Sequence, residues 1–347
     1  MAGWLSACAV YCSDLKPVNP PKPKHLAKLF KKTDPVICFG NNSEKKIKPF
    51  FQIIAMSSLL ECFSHGQVDG VRTALVRGED VNQKNESNQT VLMFAAAMPP
   101  SATYVSILRL LLEQPSIEVN LADEQGRTAL HVAAHGGNIE AARLFLADPR
   151  VDVNCKDNGQ ITPLLMAAEN PKNINILKLF LAERKFELSC AAPNPGTGDV
   201  TALMWAACNS NLKAVKLLLD EPRVEVNWMN GRGISAIHVA VAQKSNVKLV
   251  ELLLAHPRVD ANCKNGPLGT SILHMAAAKN HAEVAELILA DSRFTLANAL
   301  VSEEKRSALS IAAVKANWDV LNVLVNHPSI DLGVKHKNGL TLEEISR

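Results

Sequence analysis

One phrase, Thr128-Ala129-Leu130-His131-Val132-Ala133-Ala134, comes back with substitutions along most of this 347-residue chain, and that self-similarity limits the fold more than any other feature. The copies open at Thr90, Thr128, Thr162, Thr201, Ser235, Ser271 and Ser307, with a shorter one near Thr341. The steps between them are 38, 34, 39, 34, 36, 36 and 34 residues. A period in that range marks an array of stacked units, none of which holds enough apolar residues to stand alone. In such an array the working part is an outer surface, not an enclosed pocket.

Each period has the same internal order. The opening Thr or Ser can accept a backbone N–H as a helix N-cap, and His131, His238 and His274, three residues on, are placed to reach back as in a capping box. A short apolar helix follows with an alanine pair (Ala133-Ala134, Ala167-Ala168, Ala206-Ala207, Ala276-Ala277, Ala312-Ala313), which lets a neighbouring helix come close. After a polar turn comes a second, leucine-rich helix, as in Leu217-Leu218-Leu219 and Leu252-Leu253-Leu254. Asp148-Pro149-Arg150-Val151-Asp152-Val153-Asn154 shows how it ends. Proline stops the helix, and an extended arm runs out to a turn containing Gly126, Gly233 or Gly269.

These units resemble ankyrin repeats, whose signature is Thr-Pro-Leu-His-x-Ala-Ala, a Leu-Leu helix and an Asp-Val-Asn arm. The resemblance covers roughly residues 57–347. The chain departs from the signature where its proline survives only as Pro163, and where Met93, Leu165, Met204 and Ser310 replace the histidine. The resemblance implies an all-α fold, a solenoid of stacked helix-turn-helix units with hairpin fingers, in which first helices and finger tips line a concave side. It also implies that Asn82, Asn120, Asn154, Asn227 and Asn262 match asparagines that are hydroxylated in similar repeats. The expected organisation is a tail over 1–55 and a repeat domain over 56–347. Within that domain, 56–89 forms an N-terminal cap repeat, 90–339 hold seven repeats, and 340–347 form a truncated C-terminal cap.

Charge separates the tail from the body. Residues 1–55 hold nine lysines against Asp14, Asp34 and Glu44, so they carry +6 and the remainder −3 of the overall +3. With six prolines as well, the tail reads as disordered, and the body does not read as a nucleic-acid binder. Met1 to Val10 lack the basic start of a secretory signal, and no run of about 18 apolar residues is present to span a bilayer. The eight cysteines form no Cys-x-x-Cys pair. They suit a reducing compartment, so the expected location is the cytoplasm, or the nucleus.

No motif carries catalysis. His131 and His135 have the spacing of a two-histidine zinc site without the following Glu or a third ligand. Gly196-Thr197-Gly198 lacks the third glycine of a dinucleotide loop and reads as an enlarged finger tip, Pro193 to Asp199, which explains the 39-residue step. Arg150, Lys185, Arg223, Arg258 and Arg293 recur at one place. They read as charges at helix C-termini, most with an acid two residues on, as in Arg150 with Asp152 and Arg223 with Glu225. Trp205 and Trp318 read as packing residues.

The expected function is therefore binding. Trp228-Met229-Asn230-Gly231-Arg232-Gly233-Ile234 stands out, because finger tips are usually polar whereas this one carries residue types enriched at interface hot spots. By position in the repeat, the expected partner contacts are Arg127, His135, Ile161, Glu169, Asn209, Trp228, Met229, Arg232, Ile234, Gln243, Leu268 and Lys279. The expectation is a monomeric, non-enzymatic scaffold or adaptor for a protein partner, with no cofactor, metal or small-molecule substrate. The alternative is an adaptor tethered to anionic membrane or nucleic acid through the basic tail, the only segment suited to either.

Overall fold

In the computed structural model, residues 58–188, 192–194, 198–243, 246–266, 268–301 and 305–334 are described. The basic tail, the 340–347 segment and residues 195–197 lie outside them. The described chain forms two compact units, 58–163 and 164–334.

The unit 58–163 holds three helix pairs: α1 (Ser58–Ser64) with α2 (Val68–Val76), α3 (Val91–Ala97) with α4 (Ala102–Leu112), and α5 (Ala129–Gly136) with α6 (Ile139–Ala147). First helices pack on first helices, α3 on α5, and second on second, α2 on α4 and α4 on α6. The core is therefore continuous between pairs. It is built from Leu59, Val71, Ala95, Ala96, Ile107, Leu111, Ala133, Ala142 and Phe145, all fully buried. Each large member stabilises the unit by about 2–3 kcal/mol.

The unit 164–334 repeats the plan. Its pairs are α7 (Pro163–Glu169) with α8 (Ile174–Ala182), α9 (Ala202–Cys208) with α10 (Leu212–Asp220), α11 (Ala236–Ala242) with α12 (Val247–Ala255), α13 (Ile272–Lys279) with α14 (Ala282–Ala290), and α15 (Ala308–Val314) with α16 (Trp318–Asn326). The helices α9, α11, α13 and α15 pack in series, as do α8, α10, α12, α14 and α16. Before α9 the finger widens into an antiparallel ribbon of β1 (Ala192–Asn194) and β2 (Gly198–Val200), with Ala192 opposite Val200. This ribbon holds the additional residues of the 39-residue step. A smaller ribbon, β3 (Lys264–Asn265) with β4 (Thr270–Ser271), precedes α13.

Local capping starts the first helices as their sequence demands. Thr128 and Ser235 form capping boxes with His131 and His238. The Ser271 hydroxyl meets His274 Nδ1 at 2.7 Å. The Thr128 N–H donates to His131 Nδ1, so the ring proton sits on Nε2 and reaches the Ile161 carbonyl at 2.9 Å. Both nitrogens of His131 are thereby occupied within the fold. Where the histidine is replaced, the hydroxyl cap persists: Thr90, Thr201 and Ser307 accept from the N–H of Met93, Met204 and Ser310.

Polar side chains also stitch each pair to its neighbour. Asn138, the N-cap of α6, donates to the Ala96 and Met98 carbonyls at the end of α3. Asn211, His281 and Asn317 reach Ala168, Val241 and Ala277 in the same way. In the arms, Asn227 donates to the Arg258 carbonyl and accepts the Asp260 N–H, and Asn120 does the same with Arg150 and Asp152. The buried Asn138 and Asn211 answer backbone groups that would otherwise lose water without compensation, a net effect of about 1 kcal/mol per bond, whereas Asn120 and Asn227 make their ties on the exposed arms.

The recurring arginines act differently from the sequence expectation. Arg150 pairs with Asp148, two residues before it, at 2.6 Å, and Arg223 with Glu221 at 2.8 Å. Asp152 and Glu225 are not their partners. Nor do they cap their own helices: Arg150 donates to the Leu112 and Gln114 carbonyls of the preceding pair. Arg258 reaches four carbonyls, Leu219, Glu221, Pro222 and Val224. Arg293 reaches Leu254, His256 and Val259. A planar fork can satisfy several exposed helix-end carbonyls at once, and stacking brings the preceding helix end within reach.

Trp318 is a second correction. It opens α16 and is 69% exposed, whereas Trp205 in α9 is half-buried. Trp318 follows the N-cap Asn317 directly, a register that Leu212 also leaves solvent-facing in α10.

Candidate protein-interaction surface

Four of the fingers are braced by a side-chain turn whose residue stands at a fixed place in the sequence. An Asn or Asp stands five residues before the N-cap in four units: Asn85, Asp123, Asp157 and Asn230. Asn230 Oδ1 accepts the N–H groups of Arg232 and Ile234, and Asp123 Oδ1 those of Gln125 and Arg127. Such side-chain turns fix the finger loop without help from a strand ladder.

Successive fingers touch. Asn158 N–H donates to the Gln125 carbonyl at 2.9 Å, and Glu124 N–H to the Ser87 carbonyl at 3.2 Å. At Gly233, with φ +75°, a Cβ would lie 2.4 Å from the Gly266 nitrogen of the next finger. Only glycine accommodates both that backbone angle and that approach.

The expected contact residues divide on this frame. In the unit 58–163, Arg127 is half-buried and doubly bonded to the Asp123 carboxylate, 2.7 Å at its shortest. His135 lies in the last turn of α5, half-buried, and its ring is pushed below the usual imidazole range by burial and by Arg127. Ile161 is half-buried beside Thr162.

In the unit 164–334, Glu169 closes α7, its carboxyl raised by burial. The Trp205 indole, whose Nε1 is buried, partly offsets that rise. Asn209 bonds back to the Trp205 carbonyl, and Gln243 donates to the Cys208 carbonyl at the end of α9, so both serve as internal ties. Lys279 is half-buried in the last turn of α13. Trp228 is half-buried and borders an open cleft of about 480 Å³ with Glu225, Val226, Asn227 and Arg258. Met229 and Arg232 are exposed beside it.

Ile234 is 4% exposed and belongs to the core. It sits directly before the N-cap Ser235, where Val200 is equally buried before Thr201, and cannot be a contact residue without unfolding its finger.

Three consecutive fingers expose one large apolar residue each: Met229 at 44%, Leu268 at 41% and Leu300 at 42%. Leu300 was not among the expected contacts, because the irregular finger 299–306 obscures its register. Arg232, Lys264 and Lys305 add an exposed cation to the same three fingers. Among the described residues there is no group of three metal-ligating side chains, and no helix long and apolar enough to cross a membrane.

Stacked helix pairs, caps and rigid fingers together define a repeat module that works through its surface. Comparison with known families agrees. Residues 59–157, 145–230, 164–265 and 237–336 match the family model described as ankyrin repeats (3 copies), so the chain belongs to the ankyrin-repeat family. Repeats of this family are protein–protein interaction modules and are generally non-enzymatic. The rice (Oryza sativa subsp. japonica) Probable E3 ubiquitin-protein ligase XBOS33 is 34% identical over 159 residues, 45% of this chain and 29% of its own length. Ankyrin repeat domain-containing protein 63 of Homo sapiens is 31% identical over 166 residues, 46% of this chain and 42% of its own length. Inversin of Canis lupus familiaris is 31% identical over 134 residues, 35% of this chain and 12% of its own length. The chain thus spans less than half the length of these relatives.

Proposed function

We propose that this chain holds a partner protein on the finger row of the unit 164–334, acting as a monomeric scaffold or adaptor without catalysis of its own. The observation that carries this reading is the exposed apolar residue on each of three consecutive fingers, Met229, Leu268 and Leu300. Solvent-facing apolar side chains on otherwise polar, internally braced loops lower stability slightly and gain only when a partner covers them. Arg232 and Lys264 favour an acidic rim on that partner, with Trp228 at the edge of the contact. Glu169, Asn209, Gln243 and Lys279 lie at first-helix ends as secondary contacts. In the other unit Arg127, His135 and Ile161 form a separate, smaller set.

The test is affinity purification with quantitative mass spectrometry on the full chain, comparing wild type with Met229→Ser/Leu268→Ser/Leu300→Ser. Proteins held by the finger row drop at least tenfold in the variant, since central apolar contacts contribute about 1–2 kcal/mol each. An unchanged melting curve shows that the fold is intact. Equal recovery of every partner by the two chains overturns the proposal.

A further inference from the structure

The second helices of the unit 164–334 share one register. Their third and seventh residues are buried, from Ile176 and Phe180 in α8 to Val320 and Leu324 in α16, while the second and fifth face solvent. That solvent row is sorted by charge. It carries Lys178 in α8, Lys213 and Lys216 in α10 and Lys248 in α12, then Glu251 in α12, Glu283 and Glu286 in α14 and Asp319 in α16, all exposed. In α2 and α6 of the unit 58–163 the same two places hold an acid and an arginine, Asp69 with Arg72 and Glu140 with Arg143. The latter pair stands 3.9 Å apart and neutralises itself.

The lysines act against their own helices. The second residue of a helix lies beside the positive end of its dipole, where Asp69, Glu140, Glu283 and Asp319 are favoured and Lys213 and Lys248 are not. Lys213 and Lys216 also repel each other across one turn. None of the four lysines has an ion-pair partner among the described residues. Along the same row Leu179, Leu217 and Leu252, each at the sixth place of its helix, are only half-buried.

We propose that Lys178, Lys213, Lys216 and Lys248 dock an acidic segment of a second partner protein, its aspartates and glutamates on the lysines and its apolar residues on Leu179, Leu217 and Leu252. Such a segment supplies the negative charge that the first turns of α10 and α12 lack. The patch crosses three helices spaced about 8–10 Å apart, which a short peptide spans. A bilayer or a nucleic-acid strand would continue past α12 and bring phosphates against Glu283, Glu286 and Asp319, where like charges oppose it. The patch stands on second helices, on different elements from the fingers that carry Met229, Leu268 and Leu300, so the chain joins two partners.

The experiment measures fluorescence anisotropy of a labelled peptide of repeated Asp-Glu-Leu on the full chain, with amide hydrogen exchange of the complex. Lys213→Gln/Lys216→Gln binds the peptide about fivefold more weakly than wild type, since two exposed charge pairs are lost. Its thermal midpoint does not fall, because the substitution relieves repulsion at the start of α10. Lys84→Gln/Lys156→Gln, which removes as much charge from exposed sites of the other unit, and Met229→Ser/Leu268→Ser/Leu300→Ser both bind as wild type does. The peptide slows exchange in 174–182 and 212–220. Equal affinity of wild type and Lys213→Gln/Lys216→Gln overturns the proposal, as does loss of the peptide in the finger variant. It is also overturned if phosphatidylserine vesicles or RNA, and not the peptide, depend on Lys213 and Lys216. A wild-type dimer in solution that Lys213→Gln/Lys216→Gln dissociates and that excludes the peptide overturns it too, because a second copy then lays its acidic end on these lysines.

Discussion

The buried histidines that cap α11 and α13 make this fold acid-labile in a defined window. His238 and His274 are held neutral by burial, which takes both rings from 6.5 to about 4. Asp260 beside His238 and the Ala299 carbonyl bonded to His274 only partly oppose that effect. Protonating Nδ1 would also break the bond it accepts from the Ser235 N–H. Because the folded-state values lie below the unfolded one, the unfolded chain takes up protons first as pH falls. Stability from these residues is complete above about pH 6.5, declines below it and is gone near pH 4. At about 1.36 kcal/mol per pKa unit, the step from pH 7 to pH 4.5 removes about 2–2.5 kcal/mol per histidine, and so about 5 kcal/mol for the pair. His131, also lowered by burial, adds in the same direction. Asp148, Glu221 and Asp291, whose carboxyls their arginines hold below the usual range, lose stability only in stronger acid. Glu169, raised by burial, works in the opposite sense. The assay is urea unfolding followed by circular dichroism at half-unit pH steps, on wild type and on His238→Ser/His274→Ser. Serine is already used in this place: Ser310 is buried, and its hydroxyl donates to the Ser307 carbonyl at 2.9 Å. The double variant is less stable at pH 7 and loses about 5 kcal/mol less than wild type between pH 7 and pH 4.5, keeping the smaller loss that His131 contributes. Equal slopes for the two chains over that range would refute the reasoning.

Other outcomes follow from the ties between units. Arg258→Ala strands four carbonyls of the preceding pair and costs about 2 kcal/mol, measured by denaturant midpoint, while Arg258→Lys recovers only part because an ammonium cannot span the same acceptors. Gly233→Ala drives a Cβ against the Gly266 nitrogen at positive φ and costs about 2–3 kcal/mol; Gly231→Ala, with open space around it, leaves the midpoint nearly unchanged. A thermal melt of the two glycine variants side by side separates finger-to-finger contact from a general glycine effect.

Much of this was legible in the chain itself. The Thr/Ser openings predicted the first helices because an N-cap acts on N–H groups two or three residues away, and local chemistry of that range is written in the sequence. The alanine pairs predicted close helix approach, and Ala133-Ala134, Ala167-Ala168, Ala206-Ala207 and Ala276-Ala277 are all fully buried. Met229 and Leu268 are legible as finger-tip residues for the same reason: a finger's residues answer mainly to their own turn. Leu300 escaped because its finger has a different length and offered no register to compare.

By itself, then, the sequence determined the repeat, the helix pairs, the caps and the membership of the family, all of which depend on neighbours a few residues apart. Tertiary structure alone decided that Ile234 is core, that Trp318 faces solvent, and that each arginine serves the helix end of the unit before its own. Those outcomes depend on groups some 30 to 40 residues distant, such as the Leu219 and Glu221 carbonyls beneath Arg258. Stacking brings such groups together, and the free energy of a side chain is set by what surrounds it in space rather than along the chain.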